Sequence, residues 1–160
     1  MVNHPIERSA PVPAGGDRFQ EHRKVLRTMT IDYKVSALDT NGGLFVIENT
    51  NYHKGGPPRH LHHEQEEWFY VIESDYIVEI GDERYRLGPG DSILAPRRVP
   101  HVWAHVGEWK GRMLIAFQPA GEMEVFFRQL AQASNPSREE LRGLFSSHGM
   151  EVTGSPLPVE

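Results

Sequence analysis

The stretch RHLHHEQEEW, residues 59–68, places three histidines, three glutamates and a glutamine directly before the apolar run FYVI at residues 69–72. Alternate residues of a β-strand face the same side, so His60 and His62 point the same way, about 7 Å apart along the strand. That separation lets two imidazoles converge on one metal ion. His63 faces the opposite side and is expected at the surface. The cluster therefore predicts metal ligands beside a core strand.

The carboxylate that would complete such a site is not fixed by alternation alone. Glu64 and Glu66 face the same side as His60 if the strand runs straight through residues 60–66. The abrupt change from the polar HEQEE to the apolar WFYVI also allows a bend between the two segments. A bend resets the alternation, and Glu67 then faces inward. Both arrangements remain open at this point.

A second histidine-bearing segment, PHVWAH at residues 100–105, has the alternation of another short strand. His101, Trp103 and His105 share a face, and Pro100 stands at the strand entry, where proline is tolerated. If His101 joins the ligand set, His105 lies about 13 Å further along, a distance that suits a pocket wall rather than the same ion. Three imidazoles and one carboxylate suit one divalent transition metal ion: iron, manganese, nickel, cobalt, copper or zinc. Such a set leaves positions for substrate or dioxygen, as catalysis requires.

The rest of the chain has two kinds of pattern. Between about residues 25 and 118, eight short apolar or alternating runs are separated by turn signals, which is typical of an all-β sandwich or barrel. After Pro119 apolar residues recur at helical spacing, which predicts two helices. The predicted helical faces are Met123, Phe126, Phe127 and Leu130 in the first helix, and Leu141, Leu144, Phe145 and His148 in the second.

Either Asn135 or Ser137 is the expected N-cap of the second helix. The chain divides on these patterns into an N-terminal arm (1–24), a β-barrel (25–120) and C-terminal helices with a tail (121–160).

Composition narrows the function classes. The 160 residues suit one domain, and a net charge of −5 without a basic cluster argues against nucleic acid or a membrane as partner. The absence of cysteine excludes disulfides, thiolate metal sites and a cysteine nucleophile, and it fits a cytoplasmic protein. No apolar run approaches the roughly 20 residues of a membrane span. The N-terminus lacks the profile of a signal peptide.

Two segments match the spaced motifs of a known family. The first motif reads Gly, five residues, His-x-His, three or four residues, Glu, six residues, Gly. Here His60, His62 and, after four intervening residues, Glu67 occupy its ligand positions, with Gly55–Gly56 near its start. Ser74 replaces its closing glycine.

The second motif reads Gly, five residues, Pro-x-Gly, two residues, His, three residues, Asn. Gly90, Pro96 and His101 match it. Arg98 stands where glycine is usual, and His105 stands where asparagine is usual. With both motifs in order, the sequence resembles the cupin superfamily, and within it the small single-domain cupins similar to quercetin dioxygenases.

The resemblance covers about residues 30–120 and implies a double-stranded β-helix, or jelly roll, with a C-terminal helical extension. A metal would lie inside one end of the barrel, and the resemblance selects Glu67 over Glu66. The implied metal ligands are His60, His62, Glu67 and His101. The resemblance also points to a homodimer, because the edge strands of a jelly roll need covering and the arm could cross to a partner.

The chemistry implied by the resemblance is metal-dependent oxidation of a small aromatic or enolic, flavonol-like substrate by dioxygen. Glu67 would be catalytic, alternating between metal ligand and general base for the substrate's hydroxyl proton. Two alternatives use the same ligands: a non-oxidative isomerase or cyclase, and a protein that binds a small ligand without turnover. The expected pocket walls are Phe69, Val71, Trp103 and His105, with Phe45 and Phe117 on neighbouring strands as further candidates.

Overall fold

The computed structural model describes residues 9–160, which form two antiparallel sheets with two helices packed against them. The first eight residues of the predicted arm lie outside the described part. The strands are β1 (Arg23–Val25), β2 (Met29–Val35), β3 (Phe45–Asn51), β4 (His60–His62), β5 (Glu66–Glu73), β6 (Tyr76–Ile80), β7 (Glu83–Leu87), β8 (Ser92–Ala95), β9 (His101–His105), β10 (Gly111–Gln118) and β11 (Met150–Val152). The helices are α1 (Met123–Gln132) and α2 (Arg138–Ser146), and a 3-10 turn spans Ala37–Thr40.

One sheet has the strand order β1-β2-β3-β10-β5-β8, and the other has the order β11-β4-β9-β6-β7. Strands that are distant in the chain therefore lie side by side, as β10 does between β3 and β5. All of these pairs are antiparallel, so each strand can bury one face and expose the other. The arrangement confirms the predicted all-β jelly roll with a C-terminal helical extension.

Strand β5 shows how the fold positions a carboxylate. Its odd-numbered side chains from Glu67 to Val71 are buried, while the even-numbered ones are at least partly exposed. A bend at residues 63–65 separates β4 from β5, so the alternation of β4 does not continue into β5. The bend brings Glu67 to the inner face of the barrel.

The two helices cover the barrel with apolar faces. The buried side chains include Met123, Phe126 and Leu130 in α1, and Phe145 in α2. The Oγ of Ser137 accepts a hydrogen bond from the backbone N–H of Glu140 at 3.1 Å. This contact makes Ser137, rather than Asn135, the N-cap of α2. Neither helix of residues 9–160 has the length and apolar character needed to cross a bilayer.

The segment after α2 is a strand where the sequence predicts only a tail. In β11, Met150 lies opposite His62 and Val152 lies opposite His60 of the antiparallel neighbour β4. On its other side β4 meets β9, through the pair His60 and His101. The end of the chain therefore supports the strand that carries two of the predicted ligands.

The described part of the arm is attached to the barrel through Asp17. Its buried carboxylate accepts hydrogen bonds from the backbone N–H of Tyr33 at 2.6 Å and from the guanidinium of Arg23 at 2.8 Å. Burial raises the pKa of Asp17, but hydrogen bonds from the backbone of Tyr33, Phe19 and Glu21 and from Arg23 together lower it by more, so the net shift is downward. The division of the chain into arm, barrel and C-terminal part stays a prediction.

Gly56→Ala is expected to lower the free energy of unfolding by at least about 1–3 kcal/mol, because the site has no room for a side chain. A Cβ there would lie 2.1 Å from the backbone oxygen of Trp103 in β9, which cannot move without disturbing the sheet. Gly143→Ala is the matched control: in α2 a Cβ meets nothing within 4 Å, and alanine should stabilise the helix by about 1 kcal/mol. Urea unfolding measures both, and equal effects of the two substitutions would contradict the argument.

Candidate metal centre

Three strands bring together the four side chains that were predicted as ligands. Strand β4 supplies His60 and His62, β5 supplies Glu67 and β9 supplies His101. Each offers one ligand atom, and the four atoms all lie within 4.8 Å of one another. All four side chains are buried, with at most 5% of each residue exposed. Buried charged and polar groups at such separations need a partner, and a metal ion is one that satisfies all four at once.

Each histidine is held through its Nδ1 atom. His60 Nδ1 lies 2.7 Å from the carbonyl oxygen of Pro58, and His101 Nδ1 lies 3.3 Å from that of Val99. A carbonyl oxygen only accepts, so both Nδ1 atoms carry the proton and donate. The Nε2 atoms of these rings are therefore left with lone pairs, as a metal ligand requires.

His62 is oriented in the same way by Gln65. The Nε2 of Gln65 donates to the carbonyl oxygen of Ala120 at 3.1 Å, which turns its Oε1 toward His62 Nδ1, also at 3.1 Å. Gln65 is itself buried. A Cβ on Gly121 would lie 1.8 Å from the amide nitrogen of Gln65, so the glycine leaves room for this amide.

The Nε2 atoms converge on one oxygen of Glu67. Glu67 Oε2 lies 2.7 Å from His101 Nε2, 2.9 Å from His62 Nε2 and 4.0 Å from His60 Nε2. His62 Nε2 has no hydrogen-bond partner within residues 9–160 despite this proximity. Lone pairs facing a carboxylate repel it unless a proton or a cation lies between them. The donor set of this structure therefore fits a divalent transition metal ion.

The protonation states agree with that fit. Burial, followed by the neighbouring His101, lowers the pKa of His60 to about 3, so this ring is neutral at physiological pH. Burial raises the pKa of Glu67, but positive charge on His101 and His62 lowers it by more, and a cation bound between them would act in the same direction. Neutral imidazole and ionised carboxylate are the forms that bind metals.

The other acidic and histidine side chains of this segment point away from the centre. Glu66 forms a two-point ion pair with Arg97, which lowers the pKa of Glu66. Glu64 lies 3.8 Å from Arg98 on the surface. His63 is half exposed and lies 3.8 Å from Glu151. Among the glutamates considered from the sequence, Glu67 is thus the one that the fold brings to the three histidines.

Two departures from the cupin motifs contact each other. The Oγ of Ser74 lies 3.0 Å from His105 Nε2, and His105 Nδ1 lies 3.1 Å from the carbonyl oxygen of His53. Ser74 has a φ of 74° and Arg98 a φ of 67°, so both occupy the left-handed region where the motif has glycine. The serine at one changed position thus contacts the histidine at another.

A mostly apolar cavity adjoins the centre, with His60 and Glu67 in its wall. Its volume is about 50 Å³. The side chains that line it come from both sheets and both helices: Val25, Leu26, Met29, Ile31, Ile47, Asn49, Pro57, His60, Glu67, Trp103, Ile115, Phe117, Met123, Phe126, Phe127, Leu130, Phe145 and Met150.

Only some of the residues predicted as pocket walls are among the residues that line this cavity; Phe69, Val71 and His105 are not. Trp103 lines it, as does Phe117. Phe69 packs against the His101 ring with centroids 6.0 Å apart, and Val71 is fully buried on the same face of β5. The ring centroid of His105 lies 5.4 Å from that of Tyr76, and both ring nitrogens of His105 lie near the oxygens of Ser74 and His53. The helical residues and Asn49 were missed from the sequence, since alternation does not show which faces of distant elements meet.

Gln65→Leu is expected to weaken metal binding by about 10- to 100-fold, because the hydrogen bond that orients His62 is lost. The measurement is a competition titration with a chelator that reports metal release. Glu64→Gln is the control, since its side chain is exposed and contacts the surface Arg98. Metal affinity that is unchanged in Gln65→Leu, or reduced equally in Glu64→Gln, would show that Gln65 has no orienting role.

Comparison with known proteins agrees with this architecture. Residues 49–117 match the family model of the cupin domain. An uncharacterized protein of Methanocaldococcus jannaschii is 27% identical over 60 residues, which cover 38% of this chain and 48% of that protein. The chain thus spans about half the length of this curated relative.

Several solved structures share the fold. KdgF from Halomonas sp. has a TM-score of 0.60 at 19% identity, covering 70% of this chain and 94% of its own. An RmlC-like cupin from Shewanella frigidimarina has a TM-score of 0.54 at 22% identity, with 65% and 87% covered. The polyketide cyclase RemF from Streptomyces resistomycificus has a TM-score of 0.53 at 23% identity, with 61% and 72% covered. At these identities the likeness is one of fold, and it agrees with the match of residues 49–117 to the cupin domain.

Proposed function

We propose that this protein is a metal-dependent enzyme of the dioxygenase type that acts on a small aromatic or enolic molecule. The observation that carries the proposal is the buried group of His60, His62, Glu67 and His101, two of whose members line an apolar cavity. Mostly apolar cavities with a few convergent polar groups are typical of small-molecule sites. The substrate is therefore expected to be small and largely apolar.

The chain's own residues have separate tasks in this proposal. The three histidines and Glu67 would hold one divalent transition metal, which when bound supplies Lewis-acid or redox chemistry to the substrate. Glu67 lines the cavity, so its carboxylate is the group that would accept the hydroxyl proton of an enol or phenol. The apolar walls exclude water, which strengthens electrostatic interactions inside the cavity.

The choice of oxidative chemistry is tested by oxygen uptake. The protein is purified without a chelating tag or added metal, and its metal content is measured by elemental analysis. Samples loaded in turn with iron, nickel, manganese, copper, cobalt and zinc are then mixed with a panel of flavonols and catechols. We expect substrate-dependent oxygen uptake with at least one redox-active metal, and none with Glu67→Gln.

The other outcomes assign the site differently. Conversion of a substrate under anaerobic conditions with zinc bound supports a non-oxidative isomerase or cyclase; RemF, a polyketide cyclase, shares the fold. A ligand that is retained but unchanged supports a binding protein without turnover. No uptake by any metal-loaded sample across the panel counts against the dioxygenase. The homodimer and the cytoplasmic location stay predictions, and sedimentation analysis tests the first.

A further inference from the structure

A buried amide interrupts the apolar lining of the cavity. Asn49 on β3 is 1% exposed and lines the cavity together with Ile47 of the same strand face. Its Oδ1 atom has no hydrogen-bond partner within residues 9–160. A buried acceptor without a donor is costly, so most such atoms in proteins have a partner. A donor on a molecule held in the cavity that Asn49 lines would satisfy this oxygen.

The orientation of the Asn49 amide follows from a chain of hydrogen bonds. Asn51 Nδ2 donates to the carbonyl oxygen of Gly55 at 3.4 Å, which leaves Asn51 Oδ1 as the acceptor on the other side. That oxygen accepts from Asn49 Nδ2 at 2.6 Å and from the hydroxyl of Tyr76 at 3.0 Å. Burial raises the pKa of Tyr76, so its hydroxyl keeps its proton and donates. Turning the Asn49 amide over would place two oxygens face to face, and its Oδ1 therefore stays directed away from Asn51.

Strand register places this oxygen away from the metal centre. Glu67 lies opposite Phe117 of β10, and Phe117 lies opposite Phe45 of β3. Asn49 is four residues further along β3, which is about 13 Å of strand rise. Between the two levels is the pair formed by Ile47 and Ile115, both of which line the cavity. The cavity thus has a polar group near each end and apolar side chains between them.

We propose that Asn49 Oδ1 is a specificity-determining acceptor that binds a hydroxyl or amine donor on the end of the substrate farthest from His60 and Glu67. The proposal rests on the proposed function for the occupancy of the cavity by a small molecule. It narrows the substrate class to molecules with an oxygen for the metal centre at one end, an apolar middle and a hydrogen-bond donor at the other end. A molecule that ends in a methyl or ether group would leave the acceptor unsatisfied.

Two matched pairs of probes test this by calorimetric titration. For metal-loaded protein the pair is 2,3-dihydroxynaphthalene and 2,3,6-trihydroxynaphthalene, which differ by one distal hydroxyl donor. For metal-free protein the pair is 2-methylnaphthalene and 2-naphthol, which have similar shape and need no metal. In both pairs we expect the molecule with the additional donor to bind about tenfold more tightly, since a buried acceptor gains its partner.

The variants connect that preference to one atom. Asn49→Leu keeps the approximate size without the acceptor and should reduce the preference to about onefold, whereas Asn49→Asp retains an oxygen and should keep it. Tyr76→Phe removes another hydrogen bond of the same chain and should also keep the preference. Asn49→Ala replaces the leucine variant if circular dichroism shows that the latter does not fold.

The two arms separate this proposal from the proposed function. A preference that appears with metal-free protein and is lost in Asn49→Leu supports the role of Asn49. It does so even if the metal-loaded protein binds neither dihydroxy- nor trihydroxynaphthalene and the enzyme proposal fails. A preference that survives Asn49→Leu, equal binding within both pairs, or no binding by any of the four probes overturns the role of Asn49. So does a crystal structure in which water remains on Oδ1 beneath the bound triol.

Discussion

His101→Ala is expected to bind divalent transition metals at least about 100-fold more weakly than the unaltered protein, since loss of a direct ligand should exceed the effect of losing a group that orients one. The substitution removes the Nε2 atom that lies 2.7 Å from Glu67 Oε2 and leaves two imidazoles and one carboxylate. Metal content after dialysis against a weak chelator measures the change. Thermal unfolding in the presence of EDTA shows whether the metal-free variant is folded.

The control for this prediction comes from the same histidine-rich segment. His63 is half exposed and lies near Glu151 rather than in the metal centre. His63→Ala should therefore keep its metal and its affinity. If His101→Ala retained metal like the unaltered protein, or if His63→Ala lost it to the same degree, the four-residue centre would be wrong.

Phe117→Ala is expected to lower the free energy of unfolding by about 3–5 kcal/mol, as large-to-small substitutions of buried aromatics do. Phe117 is 1% exposed, and its ring lies 5.9 Å from that of Phe45 and 5.6 Å from that of His62. Removing it enlarges the cavity beside the metal centre. Urea unfolding of the metal-free protein measures the loss without a contribution from bound metal.

Trp109→Ala is the matched control for aromatic truncation. Trp109 is 83% exposed, so its loss removes little buried surface and should change stability by no more than about 0.5 kcal/mol. Similar destabilisation by both substitutions would mean that Phe117 does not have the packing role that its burial indicates.

Strand alternation is local and can be read along the chain, so the sequence predicted the barrel and the shared face of His60 and His62, whereas His101 entered the ligand set through the resemblance to cupins. The same alternation could not choose the carboxylate, because the bend at residues 63–65 breaks the pattern, and the resemblance to cupins was needed to select Glu67. Strand β11 has three residues, which is too short for a periodic signal.

Contacts between elements that are distant in the chain could not be predicted from the sequence pattern either. The pairing of Ser74 with His105 joins positions 31 residues apart, and nothing local to either position indicates it. Asn49 was overlooked because a polar residue in a strand normally predicts an exposed face. Only the register of β3 and β10, and the covering of the barrel by α1 and α2, place its amide in the cavity wall.

The proposed metal ligands and a large part of the cavity wall lie on different segments of the chain, the barrel and the two helices. The domain match ends at residue 117, whereas Met123, Phe126, Phe127, Leu130 and Phe145 lie beyond it and supply a large part of the chamber wall. Under the proposed function, proteins that keep the four ligand positions but differ in these helices are expected to bind a metal in the same way while admitting different molecules. Exchanging the helical segment between such proteins should then transfer the substrate preference. Metal binding, which depends on the barrel residues, should not change.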